Sequence, residues 1–485
     1  MVVFACVYVV LAAVTYKDYG ITSDEEVNYR AGKLYLTYLV ASPHERLAID
    51  QTVTPKDAPQ DYPAFRLYPG LVAVLNPGAG YETAHLLNLL FGFMGFVLVY
   101  LLVWELTHSH LAVLAPIMLL LNPYYFGHVP ANPKDVPFAT LYLVCVYLLM
   151  RLRTNSLASY LAVGSSGALL VATRLVGAIL VPVFVLRVLV DTTMRTPLVK
   201  KCLYCALAGL TAGLVLYAAW PFLWNSPVAK VAMLIKTAEA FEFWDRKILF
   251  NGLLITKTDR PWYYLFTYLA YKTPLLTMAG VICSILTAFR KVVWLLAIVV
   301  ANLAAYLVLQ PVVYNEMRHF LYLVPLLTVL AAVGVIKLMR SPKRWVALGT
   351  AVVVYVGLAK SAYDFGALHP YQYVYFNELA GTLAHVSTRY EVDYWSASYK
   401  ESSAYLRTLA GSSPTPLKVY PCNLDFGVSY YAQGTFVVVP TREAADYILC
   451  DPLNALKKDL VLEDKLVFRV VRKGTTLSYV AKMRN

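Results

Sequence analysis

Apolar stretches long enough to cross a bilayer recur through the first three quarters of this 485-residue chain, and they constrain its fold more than any other feature. About 20 apolar residues span the roughly 30 Å of hydrocarbon. Residues 2–16, 84–104, 111–125, 136–150, 157–173, 175–190, 202–220, 263–289, 292–309, 320–338 and 345–362 read as such segments, about eleven in all. The chain is 59% hydrophobic and 15% charged, whereas a soluble domain carries about a quarter charged residues. The expected fold is therefore a polytopic α-helical membrane protein. The first segment lacks a basic leading region, so it reads as an anchor and not as a cleaved signal peptide.

A net charge of +13 is compatible with a nucleic-acid binder until the charges are placed. Arg151 and Arg153 lie between the fourth and fifth segments, and Arg187, Arg195, Lys200 and Lys201 between the sixth and seventh. Arg290 and Lys291 follow the eighth; Lys337, Arg340, Lys343 and Arg344 follow the tenth. With alternating crossings all four clusters face one side, as cytoplasmic loops require. The basicity is a topology signal, and no nucleic-acid partner is needed to explain it. The expected extracytoplasmic parts are 16–83, 122–135, 221–262, 310–319 and everything after residue 362. Active material is expected there.

The reading divides the chain into a membrane unit, 1–362, and a small outer α/β domain, 363–485. In the latter, "PLKVYPC", "GTFVVVP", "DYILCD" and "KLVFRVVRKGTTLSYVAKM" read as short strands, and "YKESSAYLRTLAG" as a helix stopped by glycine. Five of the seven cysteines sit in or beside apolar segments as small filler. Cys422 and Cys450 lie in the outer domain, where oxidation is allowed, and their pairing stays open.

The first outer loop opens with "ITSDEEVNYR". Ser23 and Glu26 fit a capping box, and Glu26 has Arg30 four residues on, so Glu26 is explained structurally. Asp24 and Glu25 face Asn28 and Tyr29 at that spacing, so they stand out. Val27, Ala31, Leu34 and Tyr38 recur at helical spacing, which suits a helix in the membrane interface. A second acid, Asp135 in "NPKDVPFATLY", sits where hydrocarbon begins. It is either paired with neighbouring Lys134 or facing protein and water, because a lone carboxylate at that depth is costly. Two acids at loop–helix junctions suggest one acidic cavity. A carboxylate there can take a proton from an acceptor hydroxyl, and a departing phosphate needs cations nearby. His128, Arg174, Lys257, Arg260, Lys272, Arg318 and His319 are the candidates.

These residues resemble the GT-C glycosyltransferases, in particular the dolichyl-phosphate-mannose protein mannosyltransferases and the lipid A aminoarabinose transferases. "SDEEVNY" is similar to their first-loop Asp-Glu pair, at Asp24 and Glu25. "KDVPFATLY" carries their second acid at Asp135. "VATRLVGAILVPV" resembles a basic-x-x-Gly helix through Arg174 and Gly177. "DRPWYYLFTYLAYKTPL" matches a Trp-Tyr-Tyr…Thr-Pro segment through Trp262, Tyr263, Tyr264, Thr273 and Pro274. "NEMRHFLYLVP" is similar to their Arg-aromatic…Pro span at Arg318, His319 and Pro325. "HPYQYVYFNELAG" and "RYEVDYWSASYKE" resemble a block of uncharacterised prokaryotic members, with His369, Tyr375, Asn377, Asp393, Tyr394 and Trp395.

The resemblance implies transfer of a sugar from a polyprenyl-phosphate donor, dolichyl or undecaprenyl, to a protein, lipid or glycan hydroxyl on the outer face, usually with inversion. Asp24, Glu25 and Asp135 are then the catalytic acids. Arg174, Arg260, Lys272, Arg318 and His319 bind the donor phosphate, and His128, Tyr263, Tyr375 and Asn377 line the substrate site. No cofactor is expected, although paired acids can hold a divalent ion such as Mg or Mn. The competing reading is a transporter or flippase of a lipid-linked or small polar solute. It predicts charges near the bilayer midplane and two related halves, whereas here most segments lack internal charge.

Overall fold

The computed structural model describes residues 1–52, 63–76, 78, 80–152, 156–190, 196–224, 227–229, 231–232, 247–256, 258–460 and 465–483. Arg153, Arg195, Lys257 and parts of the outer loops 16–83 and 221–262 lie outside them.

Among the described residues, four helices are long and apolar enough to cross a bilayer: Gly80–Thr107, Leu198–Ala219, Leu275–Leu309 and Arg344–Leu368. Shorter apolar helices include Val2–Thr15, Asp135–Met150, Leu157–Thr173 and Leu323–Met339. Leucine, valine and alanine on all sides of these helices leave no polar face, which suits burial in lipid and bundle together.

The helix Leu275–Leu309 is a fold-back. Its first part runs down Leu323–Met339: Gly280 abuts Ala331, and Gly334 abuts Gly280 and Ser284. Its second part returns, so that Tyr322 donates to Asn302 Oδ1 (2.8 Å). A straight helix of this length would measure about 52 Å, twice the length of its partner. The reversal falls at Ala288, whose φ of −136° and ψ of 18° leave the helical region. Glycines at 280 and 334 allow the backbones to meet closely, as small residues do at membrane helix interfaces. The fold-back separates the bundle into two ends. One carries Lys272, Arg318 and Asp135; the other carries Ala288, Lys291, Thr107 and Arg340.

Residues 371–397 differ from the sequence reading, which opened an outer domain at 363. Helix Arg344–Leu368 runs on past 362, and Tyr371, Tyr373, Val374 and Trp395 are buried in the core of the helical unit. The alternating tyrosines are therefore core residues, packed against one another and His128. The α/β unit follows. Strands β3 (Leu417–Pro421), β4 (Phe436–Val438), β5 (Tyr447–Cys450), β6 (Leu466–Arg472) and β7 (Thr475–Lys482) form a sheet of order β4-β3-β5-β7-β6. A separate hairpin, β1 (Ile248–Phe250) and β2 (Leu253–Ile255), precedes it in the chain. In the sheet β4, β3 and β5 are parallel, while β5, β7 and β6 are antiparallel. Pro421 is registered on Leu449, so the next residues, Cys422 and Cys450, face each other and form a disulfide with Cα atoms 5.0 Å apart.

The α/β unit and the last segment of the helical unit together grip the stretch leading to the acidic loop. Tyr431 Oη accepts the Ile21 N–H (2.6 Å), the Trp395 carbonyl accepts the Ser23 N–H (3.3 Å), and Lys400 donates to the Tyr19 carbonyl (3.0 Å). Gly20 lies so close that a Cβ there would be 2.0 Å from the Ala397 oxygen.

Candidate active site

Helix Glu25–Val40 begins with Asp24 as its N-cap residue. The expected Ser23–Glu26 capping box does not form: the N-cap Asp24 makes no side-chain cap, and Glu25 turns back onto Thr22 just before the helix. The Thr22 N–H donates to Glu25 Oε2 (2.7 Å), and the Glu25 N–H donates back to the Thr22 carbonyl (3.1 Å). Tertiary contacts decide the register. His85 Nε2 lies 3.0 Å from Glu25 Oε1, and Tyr29 donates to the same oxygen (3.4 Å). Glu25 is thus fully buried and spent on holding the loop. The Glu26 carboxylate takes the Tyr81 hydroxyl. The expected apolar stripe is only partly buried: Glu25, Asn28, Tyr29, Gly32 and Tyr35 face inward. Gly32 packs on the Gly70 backbone, a contact open only to glycines.

Asp24 points elsewhere, onto Nη1 of Arg318. Asp135 opens helix Asp135–Met150 and is ion-paired with Nη1 of Arg174, with Asn132 donating to its other oxygen (3.0 Å). Asp135, weighed as paired with Lys134 or facing protein and water, has as a partner an arginine 39 positions on. The two aspartates share one charge cluster. Although burial works against the Arg318 charge, Asp24, Tyr314 and Asp135 raise its pKa. Lys134 senses Arg174, Asp135, Arg318 and Asp24 together. Exposure separates the two roles: the Asp24 side chain is 34% exposed and that of Asp135 only 4%. Asp24 can meet a substrate; Asp135 is placed to orient Arg174.

Beside the cluster lies a cavity of about 200 Å³, walled by Lys134, Arg174, Tyr314, His319 and residues 311–313. Burial, with Arg174 and Arg318 close by, holds His319 neutral. Burial and then Arg174 push Lys134 down to about 8. Lys134 is the functional candidate the sequence reading passed over. The signal was present in "NPKDV", a cation directly before the helix-opening acid, but it was read only as a neighbour to neutralise Asp135. Arg260 braces the cavity wall by donating to the carbonyls of Pro311 (2.6 Å) and Val313 (3.0 Å).

The remaining candidates are placed as follows. His128 is buried, with Nδ1 3.0 Å from Asn132 Nδ2 and Nε2 3.3 Å from the Tyr394 hydroxyl; burial and then Arg318 lower its pKa, so it stays neutral. Trp395 stacks edge-on against it, and the Arg318 guanidinium lies 5.8 Å from the Trp395 ring. Asp393 supports this wall by accepting from Tyr373 and from the Ala397 and Ser398 N–H groups; burial lifts its pKa to about 6. Tyr263 is half-exposed at the start of helix Tyr264–Lys272, away from the cavity lining. Tyr375 is buried, and Asn377 is saturated by the carbonyls of Ala270 (2.6 Å) and Thr273 (2.7 Å), which makes it a brace for the backbone.

Lys272 is wholly buried against Glu316 (2.5 Å), itself wholly buried. Removing one partner of such a pair costs about 3–5 kcal/mol. Lys272→Met is expected to lower the melting temperature strongly, and Lys272→Met/Glu316→Gln to recover most of the loss. Burial already raises Glu316. An unpaired Glu316 takes up a proton on folding, so Lys272→Met should gain stability as pH falls from about 8 toward 5. Thermal unfolding across that range checks both statements.

Among the described residues no group of three His, Cys, Asp or Glu assembles a metal site. Asp24 and Asp135 each carry an arginine as countercharge.

No family model and no curated protein matches the chain. Among solved structures it is similar to ArnT from Cupriavidus metallidurans in the apo state, with 14% identity over 98% of this chain and 97% of that one, at a TM-score of 0.53. It is also similar to the same protein bound to undecaprenyl phosphate, with 14% identity, 99% and 97% coverage and a TM-score of 0.52. The likeness is one of fold: the chain has the fold of ArnT.

Proposed function

We propose that this protein is a multi-pass membrane glycosyltransferase that moves a sugar from a polyprenyl-phosphate donor to an acceptor hydroxyl at the extracytoplasmic face. The carrying observation is that Lys134 and Arg174 line one hollow while the Asp135–Arg174 and Asp24–Arg318 ion pairs form a single charge cluster beside it. The 3-10 turn Leu175–Ile179 contributes Leu175 and Val176 to that polar hollow. Its Gly177 contributes to an apolar cavity of about 300 Å³ between the neighbouring helices. A lipid phosphate needs both environments side by side. The undecaprenyl phosphate bound by the structurally similar ArnT supports the same donor class.

In this reading the Asp24 carboxylate accepts the acceptor's hydroxyl proton while that oxygen attacks the anomeric carbon. The bond from that carbon to the phosphate oxygen breaks, and its electron pair leaves on the polyprenyl phosphate. Lys134, Arg174 and Arg318 stabilise the charge that develops there. Attack opposite the departing phosphate inverts the centre. A deletion strain should accumulate unused polyprenyl-phosphate sugar and lose one class of surface glycan. Unchanged lipid-linked sugars and glycans by mass spectrometry would remove the assignment.

The charge on Lys134 supplies a pH test. It is protonated below about 8 and neutral above. The donor kcat/KM should therefore fall as pH rises through that value, carried mainly by KM. Lys134→Arg should keep its charge and move the fall beyond the measurable range. An unmoved alkaline limb in Lys134→Arg would detach Lys134 from donor binding.

A further inference from the structure

A second cation-rimmed hollow lies at the far end of the bundle, independent of the sugar-transfer reading. It has a volume of about 280 Å³, an apolar rear wall of Ala288, Val333 and Ile336, and a rim of Lys291, Lys337 and Arg340. It exists because the long helix folds back at Ala288, which opens a gap beneath the turn. Along helix Leu323–Met339 the hollow is displaced by roughly 20 Å from Arg318 and the outer site.

Lys291 follows the reversal at Ala288, Lys337 and Arg340 stand three positions apart at the end of helix Leu323–Met339, and two of the three are tethered. Lys291 Nζ donates to the Leu106 carbonyl and Arg340 Nη1 to the Thr107 carbonyl, each at 3.3 Å, at the end of helix Gly80–Thr107. Each bond uses one donor and leaves the others available to the hollow. Among the described residues, the hollow's lining contains no carboxylate. The bias of basic residues toward one side of the membrane accounts for the face on which they lie. It does not account for three of them meeting around a shaped cavity with a greasy back. Three positive groups held together without a countercharge repel one another, and an anion that enters is stabilised by all three at once.

We propose that this hollow is a phosphate-binding site on the membrane face opposite the outer cavity, filled by the headgroup of an anionic phospholipid whose glycerol region rests on Val333 and Ile336. Basic residues near a membrane surface favour anionic lipid by amounts that, for three of them, multiply to about 100-fold in affinity.

The test uses the full chain in detergent and in nanodiscs of phosphatidylcholine with or without phosphatidylglycerol. The cavity variant is Lys291→Gln/Lys337→Gln/Arg340→Gln; the control, Lys343→Gln/Arg344→Gln, removes nearby charges that do not line the hollow. The expected result is co-purified or titrated phosphatidylglycerol on the native protein by native mass spectrometry, and a higher melting temperature than in phosphatidylcholine alone. Both should persist in the control and fall by about 100-fold in affinity in the cavity variant. Equal losses in control and cavity variant, or no preference for phosphatidylglycerol, would overturn the proposal. A shift produced by millimolar inorganic phosphate in detergent, lost in the cavity variant and absent with phosphatidylglycerol, supports the site with a soluble ligand. If the triple variant fails to fold, Lys337→Gln alone carries the comparison, with its melt in phosphatidylcholine as the folding check.

Discussion

Asp24→Asn is expected to lower kcat for sugar transfer by about 10²–10⁴-fold, the range general-base catalysis supplies. Asparagine keeps the size of the side chain and can still meet Arg318, but it cannot take a proton. Asp24 is the acid open to an acceptor, being 34% exposed where Asp135 is 4% exposed. The same contact with Arg318 admits another role, in which Asp24 only anchors the guanidinium. That role would raise the donor KM and spare kcat. The two are separated by steady-state kinetics with radiolabelled polyprenyl-phosphate sugar, and a variant with near-normal kcat removes Asp24 as the base. Asp135→Asn supplies the contrast. It loosens Arg174, so its defect should appear mainly in the donor KM.

Gly20→Ala is expected to be nearly as damaging, though residue 20 touches no substrate. An ideal Cβ would stand 2.0 Å from the Ala397 oxygen and 2.8 Å from its carbon, both main-chain atoms that cannot swing aside. The loop is held on either side, by Lys400 on the Tyr19 carbonyl and by Tyr431 and Trp395 on Ile21 and Ser23. The displacement must therefore pass along the chain to Asp24. Overpacking of this kind costs about 1–3 kcal/mol, and a shift of about 1 Å at a reacting group costs about 100-fold in rate. Tyr431→Phe is the milder comparison, losing one hydrogen bond worth about 1 kcal/mol and only a fewfold in activity. Full activity and an unchanged melt in Gly20→Ala would show that this junction yields.

The apolar segments, the basic clusters and the two junction acids are all local properties, which is why they could be read directly. Apolar length is counted residue by residue, and a charge beside an apolar run announces its own position. Asp24, Asp135, Arg174 and Arg318 were singled out in that way. What each of them touches was hidden, because the partner of Asp24 stands 294 positions away and that of Asp135 stands 39 away. Glu25 shows the same limit. Beside Asp24 it looks equivalent, but His85 and Tyr29 bury it and leave it a structural task. Lys272 and Asn377 look like ligands in a line of text, and packing turns both into braces.

What the amino-acid order determined alone was the solvent each segment prefers, since transfer from water to lipid depends on composition over about one helix length. Which face of helix Glu25–Val40 is buried, where the long helix reverses, and which carboxylate stays partly exposed were decided by tertiary contacts. Those contacts join residues tens to hundreds of positions apart, and no local pattern encodes which distant partner will neutralise a given charge.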